Sequence, residues 1–330
     1  MTTPDESWPL IEEAVFHLFD DLTAENSGDH VALGPPLEEL GWSDIEAEYP
    51  IPACELLFRA QGRALAHTDC LDRVMLAELG PVLDEPVDGV ILPTPSSGDV
   101  PNSTESAVDG VLLGPLSSGR RLAVPVITSS GGVSVGVVDS DDVTGTRMDT
   151  FDTSAHWSRV RGPLDVALLP ASAEWTRAVA AARRGLATEL LALSDEALRL
   201  AAEHVSARQQ FGAPIGSFQS PRHLLAEATA VLEGARALLS QSWRYGGSES
   251  AVVAKIAAGR AHRAVSDATL QVCGAIGLTL EHDLHRYVAR GFQIDALGGS
   301  YQHLEARLAE RLFDIDPPGS ALPALVACAD

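Results

Sequence analysis

A mainly α-helical protein with a small β unit between two helical regions is the fold class this sequence predicts. Three observations carry that expectation. Apolar residues recur at helical spacing over residues 1–85. Residues 86–170 change to short Val/Leu/Ile runs between Pro, Gly and Ser clusters. Residues 171–330 return to long Ala/Leu-rich helical patterns separated by brief loops, as in an antiparallel bundle.

Each element follows from local chemistry. Leu10, Ile11, Ala14, Val15, Leu18, Phe19 and Leu22 define one apolar face of a first helix. Gly34, Pro35 and Pro36 interrupt the pattern, and a second helix is expected over residues 51–79, stopped by Gly80 and Pro81. Strands are expected over residues 89–92, 122–127 and 133–138, with Pro125 placing its strand at an edge or bulge. Helices are then expected over residues 172–207, 217–246, 250–272 and 280–289, with a last one after Gly299.

Composition narrows the function classes. The chain has 330 residues, 45% hydrophobic and 21% charged, an ordinary globular balance. Its formal net charge is -23, which repels nucleic-acid phosphates and anionic membrane surfaces. Lys255 is the single lysine. No apolar run reaches the roughly 20 residues needed to span a bilayer. The acidic start, Met1-Thr2-Thr3-Pro4-Asp5-Glu6, lacks a signal-peptide pattern. Cys54, Cys70, Cys273 and Cys328 are scattered, without a metal or disulfide spacing, so a reducing cytoplasm is the expected compartment.

Two segments stand out. Arg208-Gln209-Gln210-Phe211-Gly212-Ala213-Pro214 follows the first long helix of the C-terminal region. Gln271-Val272-Cys273-Gly274-Ala275-Ile276-Gly277 follows the third. A guanidinium can pair with two phosphate oxygens, and glycine backbone can approach a pyrophosphate closely. Each segment alone also reads as a plain glycine-terminated helix end. Together they resemble the R-x-x-F-G-x-P and Q-x-x-G-G-x-G signatures of the acyl-CoA dehydrogenase family. Ile215-Gly216-Ser217-Phe218-Gln219 extends the likeness, and Ala275 departs from it.

The resemblance implies a fold of N-terminal helical domain (1–85), middle β-barrel (86–170, reduced) and C-terminal four-helix bundle (171–330). It implies FAD as cofactor, with Arg208, Phe211, Gln271, Gly274 and Gly277 touching the flavin dinucleotide of a neighbouring subunit. It also exposes a gap. The family's catalytic glutamate belongs in a Y-E-G-T segment, but here the chain reads Leu297-Gly298-Gly299-Ser300, with Gly298 at the glutamate place. Some relatives carry the base on the first long helix, at a position that falls on Ala182, beside Arg183. Glu189, Asp295 and Glu305 are the nearby acids, and none has matching spacing. Ala289-Arg290 replaces a family Arg-Asp, so a structural ion pair is expected to be lost. The T-E-P-x-x-G-S-D stretch survives only as Pro93-Thr94-Pro95-Ser96-Ser97-Gly98-Asp99, and Trp157 comes too late for the flavin-ring tryptophan.

The implied protein is the short, base-less β-type subunit of a heterotetrameric acyl-CoA dehydrogenase acting on steroid side chains. Its expected partners are a catalytic subunit of α type, an acyl-CoA thioester at that subunit's site, and an electron-transferring flavoprotein. A homo-oligomeric flavoenzyme with an unrecognised base stays open, as does a flavin-free acyl-CoA binder or hydratase-like protein. Two motif matches carry less. Gly132-Val133-Ser134-Val135-Gly136 resembles a hydrolase elbow but continues as a β run. His282 and His285 lack enough nearby ligands in the sequence for a zinc site.

Overall fold

The computed structural model describes residues 6–26 and 29–313. Five helices come first: α1 (Trp8–Asn26), α2 (Gly34–Glu39), α3 (Trp42–Glu48), α4 (Pro50–Ala64) and α5 (Cys70–Leu79). Val15 and Phe19 bury the inner face of α1, while Leu10 is exposed, so that face is narrower than its sequence pattern. Pro35 and Pro36 occupy the opening turn of α2 instead of breaking a helix, because a first-turn residue needs no amide partner. The run expected over 51–79 is two helices. Leu65 adopts a left-handed backbone (φ 54°) and ends α4. The Cys70 N–H then donates to Thr68 Oγ1 (3.3 Å) at the start of α5.

The β region holds two sheets. One has the order β1 (Gly89–Val90), β3 (Arg121–Ile127), β4 (Val133–Asp139), β7 (Leu169–Pro170). The other has the order β2 (Ala107–Leu113), β6 (Trp157–Pro163), β5 (Thr144–Arg147). Leu92 and Val111 exchange both backbone hydrogen bonds (2.8 Å each), which stitches the sheets together. Ile91, Val108, Leu112, Leu122, Val124 and Val160 fill the space between them. Pro125 lies in an interior strand, contrary to the edge expectation. Its strand tolerates it because pairing with β1 covers only Leu122 and Ala123, so no ladder partner on that side reaches Pro125. Ser134 sits inside β4, with no helix after it, as expected for a strand and not for a nucleophile turn.

The C-terminal helices are α6 (Ser172–Ala207), α7 (Gln219–Tyr245), α8 (Ser248–Cys273), α9 (Leu284–Asp295) and α10 (Tyr301–Phe313). A two-strand hairpin, β8 (Gln209–Gln210) with β9 (Ala213–Pro214), separates α6 from α7. The helix expected over 280–289 begins later, because residues 274–278 form a 3-10 turn and the His282 ring accepts the Leu284 N–H (3.1 Å). One apolar core runs through the N-terminal helices, the β region and the bundle. At Gly185 of α6 an added Cβ would lie 2.4 Å from the Phe58 ring of α4, so glycine permits that close crossing. No helix of the described residues is long and apolar enough to cross a membrane.

Asp72 joins the N-terminal helices to the β region by accepting the Val90 N–H (2.8 Å). Burial pushes its carboxyl up to about 7, while the Val90 N–H pulls the other way. The unfolded carboxyl titrates near pH 4. Between about pH 4 and 7 the folded chain therefore keeps a proton that the unfolded chain has lost, and stability falls as pH rises through that window. Asp72→Asn retains the acceptor without the charge. It is expected to be near neutral at pH 4 and stabilising by roughly 2–4 kcal/mol at pH 8. Equal urea midpoints for the two proteins at pH 8 would contradict this.

Candidate functional site

The end of α6 builds an exposed aromatic tip. Ala207 is the last helical residue, and Arg208 turns to extended backbone (φ -70°, ψ 120°) while its N–H still donates to His204 O (2.8 Å). Gln209 pairs with Pro214 and Gln210 with Ala213, leaving Phe211 and Gly212 as a two-residue turn. Both have positive φ, 54° and 80°, as a tight hairpin of the mirror-image type requires. Glycine adopts this freely, whereas phenylalanine there costs about 1–2 kcal/mol. Phe211 is nevertheless 94% exposed, with only Phe218 edge-on at 6.1 Å. Arg208 is exposed and has no ion-pair partner among the described residues. Local strain is thus spent on an exposed aromatic beside a guanidinium with no ion-pair partner among the described residues.

The end of α8 lies close by. Gly274 terminates it with φ 68°, and a Cβ there would meet nothing within 4 Å. Gln271, Gly274 and Ala275 are exposed, as are Leu278 and Leu280. Gly277 is buried, and a Cβ would stand 3.1 Å from Cys273 Cβ and from Leu284 Cδ2. Packing therefore gives Gly277 a reason of its own. His204 in the last turn of α6 stacks edge-on against His282 at 5.8 Å. The two predicted segments, far apart in sequence, thus share one end of the bundle.

Cations gather around the turn that carries Gly298. Gly298 (φ 64°) and Gly299 (φ 96°) form the turn between α9 and α10. Arg183 of α6 donates through Nε to Gly298 O (3.0 Å), and its Nη2 lies 3.2 Å from Asp99 Oδ2. A Cβ on Gly298 would stand 3.6 Å from Arg183 Cγ. Asp99 also accepts from Arg307 (2.7 Å). Burial pushes the Asp99 carboxyl up, but the two guanidiniums outweigh it and hold it below its ordinary value. A cavity of about 370 Å3 opens beside this cluster, with Trp175, Val179 and Leu304 in its wall. Its charged lining groups are Asp99, Glu249, Arg183, Arg307 and Arg311. Glu249 pairs with Arg311 through Oε1, and its buried Oε2 has no hydrogen-bond partner among the described residues.

The acids near in sequence are also committed. Glu189 is 1% exposed and accepts from Arg290 Nε (3.0 Å) and Gln61 Nε2 (2.7 Å). Asp295 accepts from Lys255 Nζ (2.7 Å), a fully buried ammonium that burial pushes down and Asp295 pulls back up. Glu305 pairs with Arg260 (2.8 Å) on the surface. Arg290 therefore keeps an ion pair, in contrast to the lost pair expected from sequence. Its acid comes from α6 instead of from its own helix. Arg290 also meets His67 Nδ1 (2.8 Å), whose basicity falls to about 2, first through burial and then through that guanidinium. The anchoring roles of Arg183 and Lys255 were missed by sequence reasoning; the single lysine at a core-facing helical position was the available signal for the second.

Comparison with known proteins agrees with this architecture. Residues 175–313 match the family described as "Acyl-CoA dehydrogenase, C-terminal domain". The chain is 34% identical over 121 residues to acyl-CoA dehydrogenase IpdE2 of Mycobacterium tuberculosis, covering 37% of this chain and 36% of that protein. The match thus spans about a third of the relative's length. A solved structure described as "Tcur3481-Tcur3483 steroid ACAD G363A variant" is 26% identical with a TM-score of 0.66, covering 79% of this chain and 80% of that one. The ChsE4-ChsE5 complex from Mycobacterium tuberculosis contains a chain with TM-score 0.76 and 19% identity, covering 96% of this chain and 100% of that one.

Removing the Glu189 carboxylate isolates a buried guanidinium, whereas removing Glu305 frees an exposed one. Glu189→Ala is expected to cost about 3–5 kcal/mol of stability. Glu305→Ala is expected to cost no more than about 0.5 kcal/mol. Urea midpoints compare the two, and similar losses would contradict the buried pairing.

Proposed function

We propose that this chain, whose residues 175–313 form an acyl-CoA dehydrogenase C-terminal domain within the acyl-CoA dehydrogenase fold, is the non-catalytic subunit of a heteromeric acyl-CoA dehydrogenase. The carrying observation is a contrast between two places. At one end of the bundle, Arg208, Phe211, Gln271 and Gly274 are exposed and shaped for an outside ligand. At the α9–α10 turn, Arg183 holds the backbone where a base would stand.

Dehydrogenation at the α and β carbons of a thioester needs a base within reach of the α-proton. In this reading that base belongs to the partner subunit. FAD, if held there, would supply the hydride-accepting chemistry. Arg208 would pair with pyrophosphate oxygens of a partner-held FAD. Phe211 covers an apolar face of the dinucleotide, and the Gly274 backbone approaches without a Cβ in the way. Gln271 offers an amide for a polar edge, and Gly277 packs the turn that presents these groups. An electron-transferring flavoprotein would be the acceptor for the reduced cofactor. A steroid-type acyl-CoA is the substrate class favoured, supported by the likeness to a structure described as a steroid ACAD. A self-sufficient homo-oligomer is disfavoured, because Ala182 and Gly298 stand at the two places where the family carries its base, and Glu189 and Asp295 are committed to buried ion pairs.

Co-expression with a longer acyl-CoA dehydrogenase chain tests the reading. The pair is expected to be yellow and active, and this chain alone inactive. Arg208→Ala here, with the partner unchanged, removes charge-assisted hydrogen bonds worth about 1.5–3 kcal/mol. FAD affinity of the assembled pair is then expected to fall about 10- to 100-fold. Thioester oxidation by this chain alone, or unchanged FAD affinity in the variant complex, would overturn it.

A further inference from the structure

The foot of the bundle carries a group of side chains that the proposed flavin role does not use. His204 from the last turn of α6, Cys273 from the last residue of α8, and His282 from the loop before α9 converge there. One ligand atom from each lies within 4.8 Å of the other two. Cys273 is buried, and both histidines are half-buried. Three separate segments meeting with two imidazoles and a thiol is a ligand set suited to a borderline-soft dication with nitrogen and sulfur donors.

We propose that His204, Cys273 and His282 form a zinc site that ties the ends of α6 and α8 to the loop before α9. Tetrahedral bonds of about 2.0–2.3 Å put ligand atoms about 3.3–3.8 Å apart. The three atoms need to close by about 1 Å, within the reach of side-chain rotation about their helix ends. Water fills the fourth position. The balance is simple: the Cys273 thiol loses its proton to solvent as sulfur bonds to Zn2+, and no electron moves. Metal binding at either ring nitrogen of His282 ends the hydrogen bond its Nδ1 accepts from the Leu284 N–H (3.1 Å), because a neutral imidazole has a single lone-pair nitrogen. That exchange makes the site weaker than one in which each histidine donates its other N–H to an acceptor. Proton release makes binding tighten as pH rises.

Zinc here has a structural consequence. Arg208 lies four residues beyond His204, and Gln271 and Gly274 flank Cys273. A metal bridge therefore fixes the spacing between the two exposed segments. The inference rests on the geometry of this chain alone, so its failure leaves the shared-flavin reading intact.

The test uses the full-length chain, alone and in its complex, without a histidine tag. After dialysis against excess Zn2+ and removal of free metal, elemental analysis is expected to give about one zinc per chain. Co2+ in its place is expected to give tetrahedral d–d bands and a thiolate-to-cobalt absorption. Cys273→Ser is expected to abolish that absorption, and His204→Ala to lower Zn2+ affinity at least about 10-fold. Should a variant fail to fold, the cobalt spectrum of the unaltered chain decides. Zinc well below one per chain, a cobalt spectrum without the thiolate band, or zinc content unchanged in a folded Cys273→Ser chain would overturn the proposal.

Discussion

Two cations hold the turn on which this molecule's character depends. Arg183 from α6 grips Gly298 O, and Lys255 from α8 grips Asp295 while lying 3.5 Å from Gly299 O. Both are buried, and burial alone would favour neutral side chains at these places. They remain because acceptors are supplied locally: Asp99 faces Arg183, although Arg307 shares that carboxylate, and both Asp295 oxygens are used in the second cluster. The turn between α9 and α10 is thus backbone held from outside by a guanidinium and an ammonium.

The same helix, α6, serves both ends of the account. Its N-terminal half carries Arg183 and Glu189 into the buried networks. Its C-terminus delivers His204, Arg208 and the Phe211 hairpin to the opposite, exposed end. The helix is 36 residues long, about 54 Å at 1.5 Å per residue. A single helix therefore separates the cation-locked turn from the exposed hairpin. Glu189–Arg290 fastens α9 to this rod, and the Phe58 ring against Gly185 fastens α4. Close crossings of this kind leave the exposed hairpin as a projection from a firm base.

Much of this was readable from sequence, for a physical reason. The long helices of the bundle bury one face, so their period is written in apolar residues; α6 spans residues 172–207, as its pattern predicts. The motif residues Arg208, Phe211, Gln271 and Gly274 were visible because glycine and charge punctuate the helix ends. Other features depend on contacts that no local pattern records. Strands β2 and β6 pair with each other across a long connection, and Asp109, Arg159 and Arg161 pair on their outer face. The start of α9 is set by a histidine side chain that accepts a backbone N–H, which displaces it from the expected range. Arg290 finds Glu189 far along the chain, and Arg183 finds Gly298, so neither pairing could be read from spacing. The convergence of His204 and Cys273 on His282 is tertiary for the same reason.

The central claim is that one flavin site is assembled from two unlike chains, with the base on the other. Flavin counted per chain in the purified complex of this protein with a longer acyl-CoA dehydrogenase tests it most directly. The account predicts about one FAD per pair of unlike chains. Two FAD per pair, or one per chain in a catalytically active assembly of this protein by itself, would contradict it.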